Sequence, residues 1–351
     1  MPESPSTRQQ AELIHVDDKS LTIARRKYGR GFQYFWLSGE KISCKTSLTR
    51  IKKLAIPPMW QDVRICELDN GHIQALGNDL KQRRQYIYHQ LWEAKRQQAK
   101  FEKLITFAQS LPAMREICQR FTGDKTWSKN KVLAIMVMIL DETGIRIGNA
   151  QYCQQNQTYG LSTLRRKHLN DHANTLTLEF KGKSNQQRQV EIDDEQLSHY
   201  VRQCADLPGY PLFRYKDEQG RWQDIDSEDV NAFIKAHMGE AFSCKDFRTW
   251  AGTRMACECY ADALAEHALS PRKKFINIII RRVAEQLGNT STICKKYYIH
   301  PALLTLLSQK PEPLFSKHVT QSNTHLSQTE TNLLGFLEGA DFHGKEAKRM
   351  P

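Results

Sequence analysis

The chain predicts an α+β protein, with a small, mostly-β N-terminal domain followed by a larger, mainly α domain that carries a β-hairpin. Three observations predict it. Between Leu21 and Tyr88 the sequence breaks into short apolar or alternating stretches punctuated by turn residues, as in Phe32-Gln33-Tyr34-Phe35-Trp36-Leu37 followed by Ser38-Gly39-Glu40-Lys41. Beyond that region long helical patterns dominate. Among them, Thr175 to Phe180 and Gln189 to Ile192 alternate with period two on either side of Lys181-Gly182-Lys183-Ser184-Asn185, which is a hairpin with a basic tip.

The elements follow in order. The β-rich domain is expected over residues 1–90. The polar, charged stretch Gln90 to Ala99 begins the helical part and marks the domain link. Over 91–310, helices are expected at Glu102 to Arg120, Lys129 to Glu142, Glu195 to Cys204, Ser227 to Met238, Lys245 to Leu264 and Pro271 to Leu287. Residues 311–351 are polar and rich in Ser, Thr, Gln and Asn, and read as a loosely attached tail with one short helix at Asn332 to Leu337.

Composition limits the function. With 351 residues, 40% of them hydrophobic, the chain can bury a core in each of two domains. Lys and Arg number 51 against 39 Asp and Glu, a formal charge of +12 that favours a polyanionic partner such as nucleic acid. Nine cysteines, an odd number with only Cys257 and Cys259 close together, make neither a disulfide framework nor a zinc site, so no metal or cofactor is expected. The N-terminus lacks a signal-peptide pattern, and the longest apolar run, Val132 to Leu140, is too short to span a bilayer, so a cytoplasmic protein with no membrane partner is expected.

Motifs narrow it further. H-E-x-x-H, G-x-S-x-G and G-x-G-x-x-G are missing, and Gly182-Lys183-Ser184 imitates the end of a P-loop whose partner glycine is replaced by Thr177. Four stretches stand out instead. Arg146 lies between two isoleucines in Thr143 to Asn149, where a cation asks for an anion. Lys181 and Lys183 occupy the hairpin tip. Lys245 and Arg248, at i and i+3, are expected to share a helix face. The fourth stretch runs Leu287-Gly288-Asn289-Thr290 and then Lys295-Lys296-Tyr297-Tyr298-Ile299-His300-Pro301. Taken singly, each has an ordinary explanation as a solvated cation or a packed ring.

Taken together, and in this order, they resemble the catalytic domain of type IB DNA topoisomerases of the compact bacterial and poxvirus kind. The matching motifs are Arg146-Ile147-Gly148-Asn149 with Tyr152, Gly160-Leu161-Ser162-Thr163-Leu164 with Lys167-His168, Phe180-Lys181-Gly182-Lys183, Lys245-Asp246-Phe247-Arg248-Thr249, and Leu287-Gly288-Asn289-Thr290 ahead of Tyr298-Ile299-His300-Pro301. The resemblance covers most of residues 20 to 305. It implies double-stranded DNA as partner, Tyr298 as nucleophile, Arg146 and Arg248 as phosphate clamps, Lys183 as general acid and Asn289 as a third phosphate ligand. Many relatives carry His at the position of Asn289; Asn can donate a hydrogen bond but cannot carry a proton. Tyr297 is the rival nucleophile, and the Tyr-Ile-His-Pro ending favours Tyr298.

The resemblance also implies DNA contacts from Tyr152, Lys245 and, in the N-terminal domain, Gln85, Tyr86 and Tyr88; the last two fall on one side of a strand, and the lesser alternative is that they close a small β core. It implies a 3′-phosphotyrosyl intermediate without ATP or metal, and a monomer. Two other readings remain. A tyrosine recombinase shares the Arg, Lys, Arg and Tyr but usually has His where this chain has Lys245, and a non-catalytic DNA-binding protein would satisfy the charge but not the ordered motifs.

Overall fold

A computed structural model of the chain describes residues 12–172, 175–309 and 325–347, with residues 340–347 described by their backbone alone. The chain divides into two compact units, Met1–Lys100 and Phe101–Pro351.

The first unit is built on five antiparallel strands, β1 (Ile23–Tyr28), β2 (Gly31–Trp36), β3 (Gln61–Ile65), β4 (Ile73–Asn78) and β5 (Arg84–Tyr88), in the order β2-β1-β3-β4-β5. Helix α1 (Lys45–Lys53) turns Ile51 and Leu48 toward Ile23, Val63, Ile65 and Ala75. Alternation along the strands sends a second set, Leu21, Cys66, Ile73 and Leu76, into a separate cluster with Val16. Helix α2 (Gln90–Thr122) then runs unbroken through both units. The sequence puts the link in the polar stretch Gln90 to Ala99 and bounds the first domain at residue 90. The chain instead divides after Lys100, because the first turns of α2 stay with the β unit, where Trp92 packs on His15 and His72.

The second unit is mainly α and centres on α3 (Lys129–Thr143). This helix is apolar on nearly every side, from Val132 to Val137 and at Ile139 and Leu140, and an all-round apolar helix is stable only when other elements cover it. It is covered by α5 (Glu195–Asp206), α6 (Ser227–Met238) and α7 (Cys244–Glu258), and by the sheet of β6 (Leu169–His172), β7 (Thr175–Lys181) and β8 (Gln187–Ile192). Ser128 caps its start by accepting from the Lys131 N–H, and Gly144, in the left-handed region at φ 59°, stops it. Between α3 and β6 lies the short α4 (Ala150–Asn156), and a small hairpin of β9 (Arg214–Lys216) and β10 (Trp222–Asp224) precedes α6. After α7 come α8 (Tyr260–Leu269), α9 (Phe275–Leu287), α10 (Ser291–Tyr297) and α11 (Pro301–Ser308).

The structure departs from expectation in two helices. The helix expected over Lys245 to Leu264 is divided at Cys259, whose ψ of 7° leaves the helical region. The tail expected to be loosely attached contains α12 (Gln328–Ala347), which covers the short helix expected at Asn332 to Leu337 and packs on α7 and α11. Its composition is polar, but Glu330, Leu333 and Leu337 fall on one stripe and are each 1% exposed. Glu330 takes a bidentate pair with Arg115 of α2, which also grips Asp141 of α3, and accepts from Trp250 Nε1 of α7. The remainder of the tail, 310–324 and 348–351, lies outside the described residues. Among the described residues, no helix is long and apolar enough to cross a membrane, and no three His, Cys, Asp or Glu side chains are grouped to hold a metal.

Candidate active site

Four segments from distant parts of the second unit meet at the C-terminal end of α9. The first is the loop after α3. Its backbone is fixed by the segment that follows α4: Leu161 N–H donates to Arg146 O at 2.9 Å and Ser162 N–H to Ile147 O at 2.7 Å. With Ile145 buried on one side, the half-buried Arg146 side chain reaches across to donate to Gly288 O at 3.1 Å and to Asn289 Oδ1. Among the described residues no anion answers its apolar flanks; both partners are neutral oxygens.

The second segment is α7. Arg248 is 5% exposed and donates to Gly144 O and Leu287 O, while its Nε has no partner. Burial, reinforced by the nearby charge of Arg146, pushes its guanidinium down to about 10, and Tyr298 works in the opposite sense. Lys245, expected on the same face, is exposed, so one helix turn separates a solvated lysine from a buried arginine.

The third is the turn from α9 into α10. Asn289 presents its Oδ1 to Arg146, and its buried Nδ2 is left without a partner. Asn289 Nδ2 and Arg248 Nε are thus two enclosed donors with nothing to donate to, an arrangement that costs about 1–3 kcal/mol for each group unless a ligand fills it.

The fourth is the end of α10. Tyr298 follows the last turn, its N–H donating to Cys294 O, and its own carbonyl accepts from Thr253 Oγ1 at 3.1 Å. The approach to α7 is possible because residue 252 is Gly: a Cβ there would stand 2.8 Å from Tyr298 O and 3.0 Å from Tyr298 Cβ. The ring lies with its centre 5.1 Å from the Arg248 guanidinium. Tyr297 turns elsewhere and takes the Lys296 ammonium over its ring at 5.1 Å. Helical rotation separates the two tyrosines, and it is Tyr298 that joins the arginines.

Lys183 sits on the exposed hairpin tip, which turns sharply through Ser184 and Asn185 at φ 63° and 60°. It borders one small cleft with Arg146, Arg188 and Arg248. Arg188 is a cation the motifs did not flag. Its guanidinium donates to Glu285 O at 2.9 Å and Gln286 O at 2.5 Å, and burial, then the charge of Arg146, lowers its pKa. A signal was available: on β8 it falls in the same alternation phase as the buried Val190 and Ile192, an arginine in an apolar register like Arg146 between its isoleucines. Among the described residues, none of Arg146, Arg188 and Arg248 is paired with a carboxylate. Three enclosed guanidiniums without counter-charge favour an anion strongly, and their planar forks suit phosphate oxygens.

The remaining candidates lie outside this cleft. Tyr152 is 49% exposed on α4. In the first unit, Tyr86 and Tyr88 do share one face of β5, stacked with ring centres 5.9 Å apart. Both are half-buried against the Leu21, Cys66, Ile73 and Leu76 cluster, and Tyr86 donates its hydroxyl to Asp18 at 3.3 Å. Gln85 donates to Asp79 at 3.2 Å.

Comparison with known proteins finds one family over most of the chain. The family model described as "Eukaryotic DNA topoisomerase I, catalytic core" matches residues 81–326, and "Bacterial DNA topoisomerase IB, N-terminal domain" matches residues 31–79. DNA topoisomerase 1B of Acanthamoeba polyphaga mimivirus is 31% identical over 87% of this chain and 93% of its own length. DNA topoisomerase 1B of vaccinia virus (strain Copenhagen) is 25% identical over 67% of this chain and 72% of its own, and DNA topoisomerase 1 of rabbit fibroma virus (strain Kasza) is 23% identical over 80% and 90%. With matches to the family that together span most of both units, the chain belongs to the type IB DNA topoisomerases.

Proposed function

We propose that this topoisomerase relaxes supercoiled DNA through a covalent 3′-phosphotyrosyl intermediate formed by Tyr298, without ATP or a metal ion. The Tyr298 oxygen attacks the scissile phosphorus, the bond from phosphorus to the 5′ oxygen breaks with its electron pair leaving on that oxygen, and Lys183 supplies the proton that makes it a hydroxyl. The phenol gives its own proton to solvent as it attacks, and the adjacent guanidinium groups offset the negative charge that gathers on the phosphate. Arg146 and Arg248 take the non-bridging oxygens, and Asn289 Nδ2 adds a neutral donor; each such preorganised group commonly contributes about 10²–10³ to the rate.

The proton from Lys183 adds about 10²–10⁴ where the leaving group is strongly basic. The phosphotyrosyl bond keeps the energy of the broken one, so after the free end has turned, the 5′ hydroxyl reverses the reaction with no nucleotide consumed. All five groups come from one chain, and we infer that it works as a monomer on duplex DNA.

One observation carries this reading: the ring of Tyr298 stands 5.1 Å from the buried guanidinium of Arg248, which has no carboxylate partner among the described residues, next to two donors left unpartnered at Arg248 Nε and Asn289 Nδ2. The test is to mix protein and supercoiled plasmid in EDTA without nucleotide and to stop with detergent. Relaxation and a protein–DNA adduct are expected from the parent chain, and neither from Tyr298→Phe, which should still bind DNA. Relaxation that requires a metal or ATP, or an adduct that survives Tyr298→Phe, would overturn the reading.

A further inference from the structure

We infer that Arg188 is a positioning residue that clips the β7–β8 hairpin onto the C-terminal end of α9 and thereby sets Lys183 for proton transfer. The inference rests on the role proposed above for Lys183.

Three arginines from three different segments converge on four successive carbonyls at the end of one helix. Arg188 takes Glu285 O and Gln286 O, Arg248 takes Leu287 O, and Arg146 takes Gly288 O. The last carbonyls of a helix have no partners within it and carry the negative end of its dipole, so they are suited to receive cations. The three differ in what else they touch. Arg248 also lies 5.1 Å from the Tyr298 ring centre and Arg146 also reaches Asn289, whereas Arg188 spends its terminal nitrogens on Glu285 O and Gln286 O and its stem on the hairpin. Arg188 is therefore built to hold two elements together rather than to hold the phosphate.

What it holds is the acid. Arg188 pairs with Phe180 across β7 and β8, and its Cγ lies where a Cβ on Gly182 would come within 2.8 Å, so its stem packs on the residue preceding Lys183. Its guanidinium lies across Gly288, which is left-handed at φ 60° and whose Cβ would stand 2.3 Å from the guanidinium carbon. A glycine at each end makes room for one arginine, and Gly288 immediately precedes Asn289. Moving a reacting group by about 1 Å can cost about 10²-fold in rate, so a bridge between the hairpin and α9 has direct value for Lys183.

A substrate that needs no acid separates this role from a merely structural one. Single-turnover cleavage would be measured on a DNA duplex with the normal 5′ oxygen at the scissile bond and on one with sulfur in that position, since a thiolate leaves without a proton. Lys183→Ala is expected to slow oxygen cleavage about 10²–10⁴-fold and to cleave the sulfur substrate within a few-fold of the parent. Arg188→Ala is expected to lose about 10²-fold on oxygen and likewise recover on sulfur. Arg188→Lys, which keeps the charge but cannot bridge two carbonyls as a fork, should show a smaller loss of the same kind, and it decides the question if the alanine variant unfolds.

Equal losses on both substrates, or no loss on oxygen, would overturn the inference. If Lys183→Ala itself is not recovered by sulfur, the acid role proposed for Lys183 falls, and the positioning role falls with it.

Discussion

The guanidinium of Arg248 stands 5.1 Å from the ring centre of Tyr298 and is held there by two backbone carbonyls, those of Gly144 and Leu287. One side chain thus joins the end of α3, the end of α9 and the tyrosine, and still has Nε to offer. Lysine at this position would keep a charge but could not span two carbonyls and a phosphate oxygen together. Arg248→Lys is expected to reduce the single-turnover cleavage rate by about 10²–10³-fold. A loss of less than tenfold would mean that the charge alone suffices.

The adjacent tyrosines provide a sharp contrast. Tyr297 has Lys296 over its ring, and removing its hydroxyl should leave plasmid relaxation within about twofold of the parent, as for a group away from the chemistry. Relaxation that collapses in Tyr297→Phe would exchange the roles of the two residues.

Asn289 cannot titrate, so it should leave no trace on the pH–rate profile of cleavage near neutrality. Asn289→His should introduce one. With an imidazole whose ordinary pKa is about 6.5 beside Arg146, a new limb in the cleavage rate is expected below about pH 6.5, because a neighbouring cation favours the neutral ring. A flat profile in that variant would indicate that residue 289 does not touch the reacting phosphate.

Much of the site was legible in the chain because its members break local patterns. Arg146 interrupts an apolar run, Lys183 lies at the tip of an alternating hairpin, and Tyr298 ends a helix in a recognisable motif. Arg188 breaks a pattern too, but its strand shows alternation clearly only from Gln189 onward, so the anomaly lay one residue beyond the visible period. Its partners, backbone carbonyls about a hundred residues away, have no signature in the sequence at all. The same reason hid α12. A helix of mixed composition is read as surface until its few inward residues find a surface to cover, and the ionic anchor at Glu330 depends on Arg115, 215 residues earlier. The tyrosines of β5 show the converse: their shared face was evident, but a half-buried ring serves a small core as readily as a ligand.

The anchor of α12 makes stability depend on acid. Burial alone would raise the Glu330 carboxyl, but the hydrogen bonds and charge of Arg115 outweigh burial and hold it at about 2, below its ordinary 4.5. A carboxyl depressed in the folded state adds stability that is complete above the unfolded value and is lost as pH falls through the folded one, so this contribution should fade between about pH 4.5 and pH 2. Glu330→Gln leaves Arg115 with Asp141 as its one carboxylate among the described residues, removes the charge that receives Trp250 Nε1, and should cost about 3 kcal/mol at neutral pH. Urea unfolding followed at pH 7 and at pH 3 gives the check. The gap between parent and variant should narrow at the lower pH, and a gap that stays constant would show that the Glu330 charge does not hold α12 against α7.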